Sequence, residues 1–107
     1  MRSLPLGFTG EQVSSLSLGC MYFGSKIDEA QSHRLLDQYL DAGGNFLDTA
    51  NNYAYWIKGF QGGESETVMG RWISARGNRD KLFLATKVGF NMAPRVPRGL
   101  SRQMILE

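Results

Sequence analysis

The stretch NFLDTANNYAYW, Asn45 to Trp56, decides how this chain is read. It opens as a compact apolar run of the kind that forms a buried strand, then delivers an aspartate, two asparagines and a tyrosine within a few positions. Such groups are costly inside a core. Their natural place is the rim of a sheet, where strand ends pass into loops that carry chemistry.

The flanking segments say which kind of sheet. Upstream, Ala30, Leu35, Leu36, Tyr39 and Leu40 fall on one helical face, with Asp28 placed as N-cap, Gln31 at the capping-box position and Gly43 as the stop. This predicts an amphipathic helix of roughly four turns. Before it, Leu16 and Leu18 alternate with serines, which predicts a strand over Val13–Leu18 ended by Gly19, preceded by a short hairpin or an irregular entry around Thr9 and Gly10. Downstream, Val68, Met69, Trp72 and Ile73 form the stripe of a second helix from Ser65 to Arg76, with Glu64 and Glu66 suited to its N-terminus and Gly77 at its end. KLFLATKV, Lys81–Val88, predicts a third strand whose continuous apolar centre suits cover on both faces. After the loop MAPRVPRG, LSRQMILE reads as the opening of another helix.

The order strand, helix, strand, helix, strand makes this an α/β chain of parallel strands joined by helical crossovers. Both the open doubly wound sheet and the closed (β/α)8 barrel use that order. A barrel typically takes about 250 residues, so 107 residues would supply less than half of one.

The totals narrow the partners. A hydrophobic content of 42% supports one core, while 21% charged residues and a net charge of +2 give no sign of a nucleic-acid or anionic-membrane partner. Cys20 is the single cysteine, which excludes an internal disulfide and makes a reducing, cytoplasmic location the default. No apolar run approaches the roughly 20 residues of a membrane helix, and Pro5, Gly7 and Gly10 interrupt the N-terminus where a signal peptide would be apolar.

In parallel α/β folds, groups at the C-terminal strand ends meet on one face. Asp48 ends the second predicted strand, Tyr53 lies in its loop, Lys87 ends the third, and Cys20 and Met21 follow the first. Each has a plain structural role available: Asp48 a turn, Tyr53 an aromatic cover, Lys87 a snorkelling surface cation. Together their chemistry is complementary. A tyrosine, with a reference pKa of about 10, is protonated at neutral pH and a sluggish acid. A neighbouring ammonium stabilises the phenolate, and a carboxylate holds the ammonium charged and in place. The set makes a proton donor for a carbonyl oxygen, a role commonly worth about 10²–10⁴ in rate, and hydride from a nicotinamide is its natural counterpart.

VSSLSLGCMYFG, LLDQYLDAGGNFLDTANNYAYW, GGESETVMGRWI and RDKLFLATKVG, in this order, closely resemble the N-terminal part of the aldo-keto reductases, and NNYAYW with ESETVMGRW resembles their bacterial branch. The resemblance spans essentially the whole chain. It implies the N-terminal portion of a (β/α)8 TIM barrel, about three βα units, ending before the fourth strand. It also implies an NADP(H)-dependent oxidoreductase acting on a small-molecule carbonyl such as an aldehyde, ketone, sugar or quinone. By motif position, Tyr53 matches the general acid, Lys87 its lysine and Asp48 the aspartate paired with that lysine; Cys20, Met21 and Asp48 match positions beside the cofactor. The family's catalytic histidine, at the end of the next strand, and most of its cofactor-gripping residues have no counterpart here. Three parallel strands cut from a barrel also leave two unpaired edges and an uncovered apolar centre in the third, so the isolated chain is expected to aggregate or to be poorly ordered, and to be inactive.

Two other readings use the same residues. Lys87 as a Schiff-base former would make an aldolase-like lyase, and a barrel retaining the nicotinamide site without turnover would be a regulatory protein. His33, inside the first helix, suits a flank or solvent-facing role. Arg95, Arg98 and Arg102 read as a solvated surface rather than a phosphate patch, and Cys20, without a partner histidine or metal-ligand spacing, as a small apolar residue.

Overall fold

A computed structural model describes residues 1–90, 92 and 99–106. The chain begins with an antiparallel hairpin of β1, Ser3–Pro5, and β2, Gln12–Ser14, in the register Ser3↔Ser14, Leu4↔Val13 and Pro5↔Gln12. Its turn is closed by the Leu6 amide on the Glu11 carbonyl at 2.9 Å and by the Thr9 hydroxyl on the Leu6 carbonyl at 2.7 Å, with Gly10 at a φ of 85°. The predicted strand over Val13–Leu18 is thus two strands. Val13 and Ser14 belong to the hairpin, and only β3, Leu18–Gly19, joins the main sheet. Alternating serines and leucines fit either pairing, so pattern alone could not divide them.

The main sheet has the order β3-β4-β5, all parallel, where β4 is Phe46–Asp48 and β5 is Phe83–Ala85. The register aligns Gly19, Asp48 and Ala85 in one row at the C-terminal strand ends. The expected strand over Lys81–Val88 is shorter: Lys81 closes a 3₁₀ turn, Arg79–Lys81, and Thr86 to Val88 lie past the pairing. Its centre is half-buried rather than covered on both faces.

Helix α1, Glu29–Asp41, connects β3 to β4. The Asp28 carboxylate accepts the Gln31 amide at 2.7 Å, and Gly43, at a φ of 85°, ends the helix. Of its predicted face, Leu36 is buried and Tyr39 and Leu40 pack on the core, but Ala30 and Leu35 are exposed and Ser32 is buried in their stead. Ser32 tolerates this because its hydroxyl donates to the Asp28 carbonyl at 2.7 Å. Helix α2, Glu64–Arg76, connects β4 to β5, buries Val68, Met69 and Trp72 as predicted, and ends at Gly77 in the left-handed region, with a φ of 58°. A short α3, Arg102–Leu106, follows. Arg102 lies at its start; Arg95 and Arg98 fall outside the described residues. Among the described residues no helix is long and apolar enough to cross a membrane.

Leu47 from β4, Leu36 from α1, and Val68, Met69 and Trp72 from α2 form the core with Cys20, Phe23 and Leu82. Because successive strand residues alternate faces, Leu47 turned toward the helices puts Phe46 and Asp48 on the opposite face of the sheet. There Phe46 meets Phe83 edge-on at 5.3 Å, one layer below Asp48.

The helices are tied by polar contacts outside the core. Asp37 accepts the Trp72 indole N–H at 2.7 Å and is gripped by Arg76 through two bonds of 3.1 and 2.8 Å. His33 donates from Nε2 to the Val68 carbonyl at 3.1 Å, so the one histidine joins α1 to α2 on their flank.

Candidate active site

Asp48 owes its place to the register. Its carbonyl accepts the Cys20 amide at 2.8 Å, and the next residue, Thr49, donates its amide to the Ala85 carbonyl at 2.9 Å, so the ends of all three parallel strands are locked together. Beyond them the backbone stays paired: the Asn51 amide reaches the Lys87 carbonyl at 3.1 Å. Thr86 donates its hydroxyl to Glu66 of α2 at 2.5 Å. The segment carrying Lys87 is thereby held from both sides although it has left the strand.

Lys87 Nζ lies 2.6 Å from Asp48 Oδ1 and 2.7 Å from the Thr49 carbonyl. Tyr53 points its hydroxyl at Asp48 Oδ2, 3.5 Å away, and the Lys87 ammonium stands 5.0 Å from the centre of the Tyr53 ring. Asp48, Tyr53 and Lys87 are thus gathered into one cluster. Partial burial alone would lower the lysine's pKa. The hydrogen bond to Asp48, with contributions from Tyr53 and from the charges nearby, outweighs that and raises it, so Lys87 is a cation throughout the neutral range.

The loop from Thr49 to Gly63 is shaped from beneath. Thr49 Oγ1 and Ser65 Oγ lie 2.7 Å apart, and the Ser65 hydroxyl donates to the Cys20 carbonyl at 2.7 Å, all in the buried interior. This fastens the ends of β3 and β4 to the first turn of α2. Successive turns over Ala50, Asn52, Ala54 and Ile57 then carry the chain past Tyr53, whose ring meets Trp56 edge-on at 6.2 Å.

Of the residues expected beside a cofactor, Asp48 and Met21 present surface at this end, whereas Cys20 is fully enclosed with its side chain in the core. Burial, reinforced by the Asp48 charge and only partly offset by a backbone hydrogen bond, pushes its thiol up to about 12. Cys20 is therefore a packing residue carrying an inert thiol. Sequence reasoning missed Glu66, Thr86 and Ser65 as supports. Glu66 was legible only as a first-turn acid, and nothing in a serine at the start of a helix announces a buried hydroxyl bridging two strand ends.

The profile of the aldo/keto reductase family matches residues 15–107. The chain belongs to that family. It is 47% identical over 88 residues to an uncharacterized 11.2 kDa protein of Pseudescherichia vulneris, covering 81% of this chain and 85% of that one. It is 45% identical over 85 residues to a norsolorinic acid reductase of Emericella nidulans, covering 73% of this chain but 20% of the relative. Among solved structures, an aldo-keto reductase of Bacillus halodurans in its holo form superposes with a TM-score of 0.69 at 36% identity, over 87% of this chain and 28% of that one. This aldo/keto reductase chain thus spans between a fifth and a third of the two longer proteins, and its α/β layout matches part of the barrel of the Bacillus halodurans reductase.

Proposed function

We propose that this chain carries the proton-donating part of an NADP(H)-dependent carbonyl reductase. The observation that bears most weight is the ion pair of Lys87 with Asp48 at 2.6 Å, with the Tyr53 hydroxyl 3.5 Å from Asp48 and the centre of the Tyr53 ring 5.0 Å from the ammonium. Tyr53 hands its phenolic proton to the carbonyl oxygen while hydride adds to the carbonyl carbon, giving the alcohol; the Lys87 ammonium stabilises the phenolate left behind. Asp48 keeps Lys87 charged and fixed, and Thr49 adds a second anchor through its carbonyl. A bound nicotinamide would supply the hydride. The open end of the cluster fits such a group, since Lys87 and Asp48 leave 52% and 41% of their side-chain surface uncovered. Met21 and Asp48 are the residues that would flank it.

Turnover is a property of the complete barrel, and the 107-residue chain by itself is expected to be inactive. The test is a chimera in which this chain replaces the matching segment of the Bacillus halodurans reductase. NADPH-dependent aldehyde reduction is expected, with Tyr53→Phe lowering kcat by about 10²–10⁴. A chimera whose kcat ignores Tyr53→Phe overturns Tyr53 as the acid, and borohydride trapping of substrate on Lys87 would make the protein a Schiff-base lyase instead.

A further inference from the structure

Among the described residues Ala54 is the non-glycine residue with a positive φ, 74°, and it is also fully buried. Left-handed backbone suits glycine, because a Cβ crowds the neighbouring carbonyl there. The strained residue directly follows Tyr53, and its neighbours on either side make ring contacts with separate partners. Tyr53 reaches Asp48, Lys87 and Trp56, while Tyr55 meets Phe90 at 6.3 Å. The turn is closed on both sides of the strained residue, by the Tyr55 amide on the Asn52 carbonyl at 3.0 Å and the Ile57 amide on the Ala54 carbonyl at 2.9 Å.

Glycine would adopt this φ without strain, but it would also leave the turn free to adopt other conformations. An enclosed methyl admits one narrow left-handed well. Resting on the role proposed for Tyr53, we propose that Ala54 is a positioning residue: its buried Cβ locks the turn so that the Tyr53 hydroxyl stays at Asp48 and its ring against Lys87, and the strain is the cost of that precision. Backbone strain at this place has no other evident use, since Ala54 carries no polar side chain and belongs to no helix or strand.

The test uses the chimera with the Bacillus halodurans reductase, labelled with ¹³C-tyrosine, the Tyr53 ring signal being assigned by Tyr53→Phe. In the parent, Lys87→Met displaces that signal, and the displacement reports how closely ring and ammonium are held. In an Ala54→Gly background the thermal midpoint should hold or rise while the displacement is lost, a combination that a merely structural residue would not give. A displacement that survives Ala54→Gly overturns the proposal and leaves the Asp48–Tyr53–Lys87 cluster standing. Should Ala54→Gly lose stability and displacement together, Ala54→Ser, which keeps a Cβ in the same well, decides: a restored displacement supports positioning, and one still lost overturns it. No displacement in the parent would overturn the cluster itself, and this proposal with it.

Discussion

The two ends of β4 place a tyrosine in opposite circumstances. At its start, the Tyr39 hydroxyl lies 2.6 Å from the Leu16 carbonyl, 2.9 Å from the Phe46 carbonyl and 2.8 Å from the Ser14 hydroxyl, and also receives the Phe46 amide at 3.2 Å. Asn45 completes this lattice, accepting the Ser14 amide at 2.7 Å and donating to the Gln12 carbonyl at 3.0 Å, so the hairpin is fastened to the sheet. At the other end, the Tyr53 hydroxyl has a long contact of 3.5 Å to Asp48 in a half-open setting. One phenol is saturated and holds the fold together; the other has a long contact and half-open surroundings. In barrels the N-terminal strand ends serve stability and the C-terminal ends chemistry, and the role proposed for Tyr53 would give the same side chain both uses at the two ends of one strand.

Exchanging the two phenols is the strongest way to break this contrast. Tyr53→Phe should abolish most turnover of the chimera, by about 10²–10⁴, with little change in its urea midpoint. Tyr39→Phe should leave chemistry alone and cost about 1–3 kcal/mol of stability, because several partly buried hydrogen-bonding groups lose a partner together. Equal stability losses in the two variants would erase the distinction.

Gly44 probes the closed end by a different route. A Cβ built there would fall on the Tyr39 ring, so Gly44→Ala must displace the ring and with it the hydroxyl lattice. A loss of about 1–3 kcal/mol is expected from overpacking, read as a lowered urea midpoint. An unchanged midpoint would show that the lattice contributes little.

Cys20 sharpens the comparison from beneath the open end. Its folded pKa is raised, so the folded chain resists losing the thiol proton more than the unfolded chain does. The associated stability is complete below the ordinary thiol value of about 8.5 and is eroded as pH rises toward about 12. At mildly alkaline pH a thiol reagent should therefore label Cys20 only as fast as the protein opens, and immediate labelling of the native chain would contradict its burial.

The smallest effect belongs to the helix flank. Arg76 chiefly, with the Trp72 indole N–H, holds the Asp37 carboxyl below the ordinary aspartate range. This stabilisation is complete above about pH 3.9 and lost as the pH falls through the folded value. Asp37 and Arg76 keep 38% and 47% of their side-chain surface exposed, so solvent screens most of the benefit. Asp37→Asn should flatten the acid limb of a stability-versus-pH curve slightly, and a parent curve without that limb would remove Asp37 from the account.

Sequence alone made the alternation of strands and helices legible, together with the Asp28 cap, the Gly43 and Gly77 stops and the α2 stripe, because each depends on neighbours within a turn or two. The positions of Asp48, Tyr53 and Lys87 on one face followed from the parallel topology. What pattern could not supply depended on distant partners. The division of Val13–Leu18 hinges on Asn45 and Tyr39, the end of β5 on where pairing with Asp48 stops, and the exposure of Leu35 on what α1 packs against. The left-handed Ala54 had no local signal, because alanine is not the residue that announces such a backbone.

The two tryptophans lie on opposite sides of this division of labour. Trp72 is sealed at 1% exposure with its indole bonded to Asp37, whereas Trp56 is 51% exposed against the Tyr53 ring. Their emission should separate accordingly, a blue component following the docking of the helices and a red component following whatever approaches the rim. The chain therefore carries two built-in optical reporters, and a Trp56→Phe variant would isolate the one that reads folding from the one that reads occupancy.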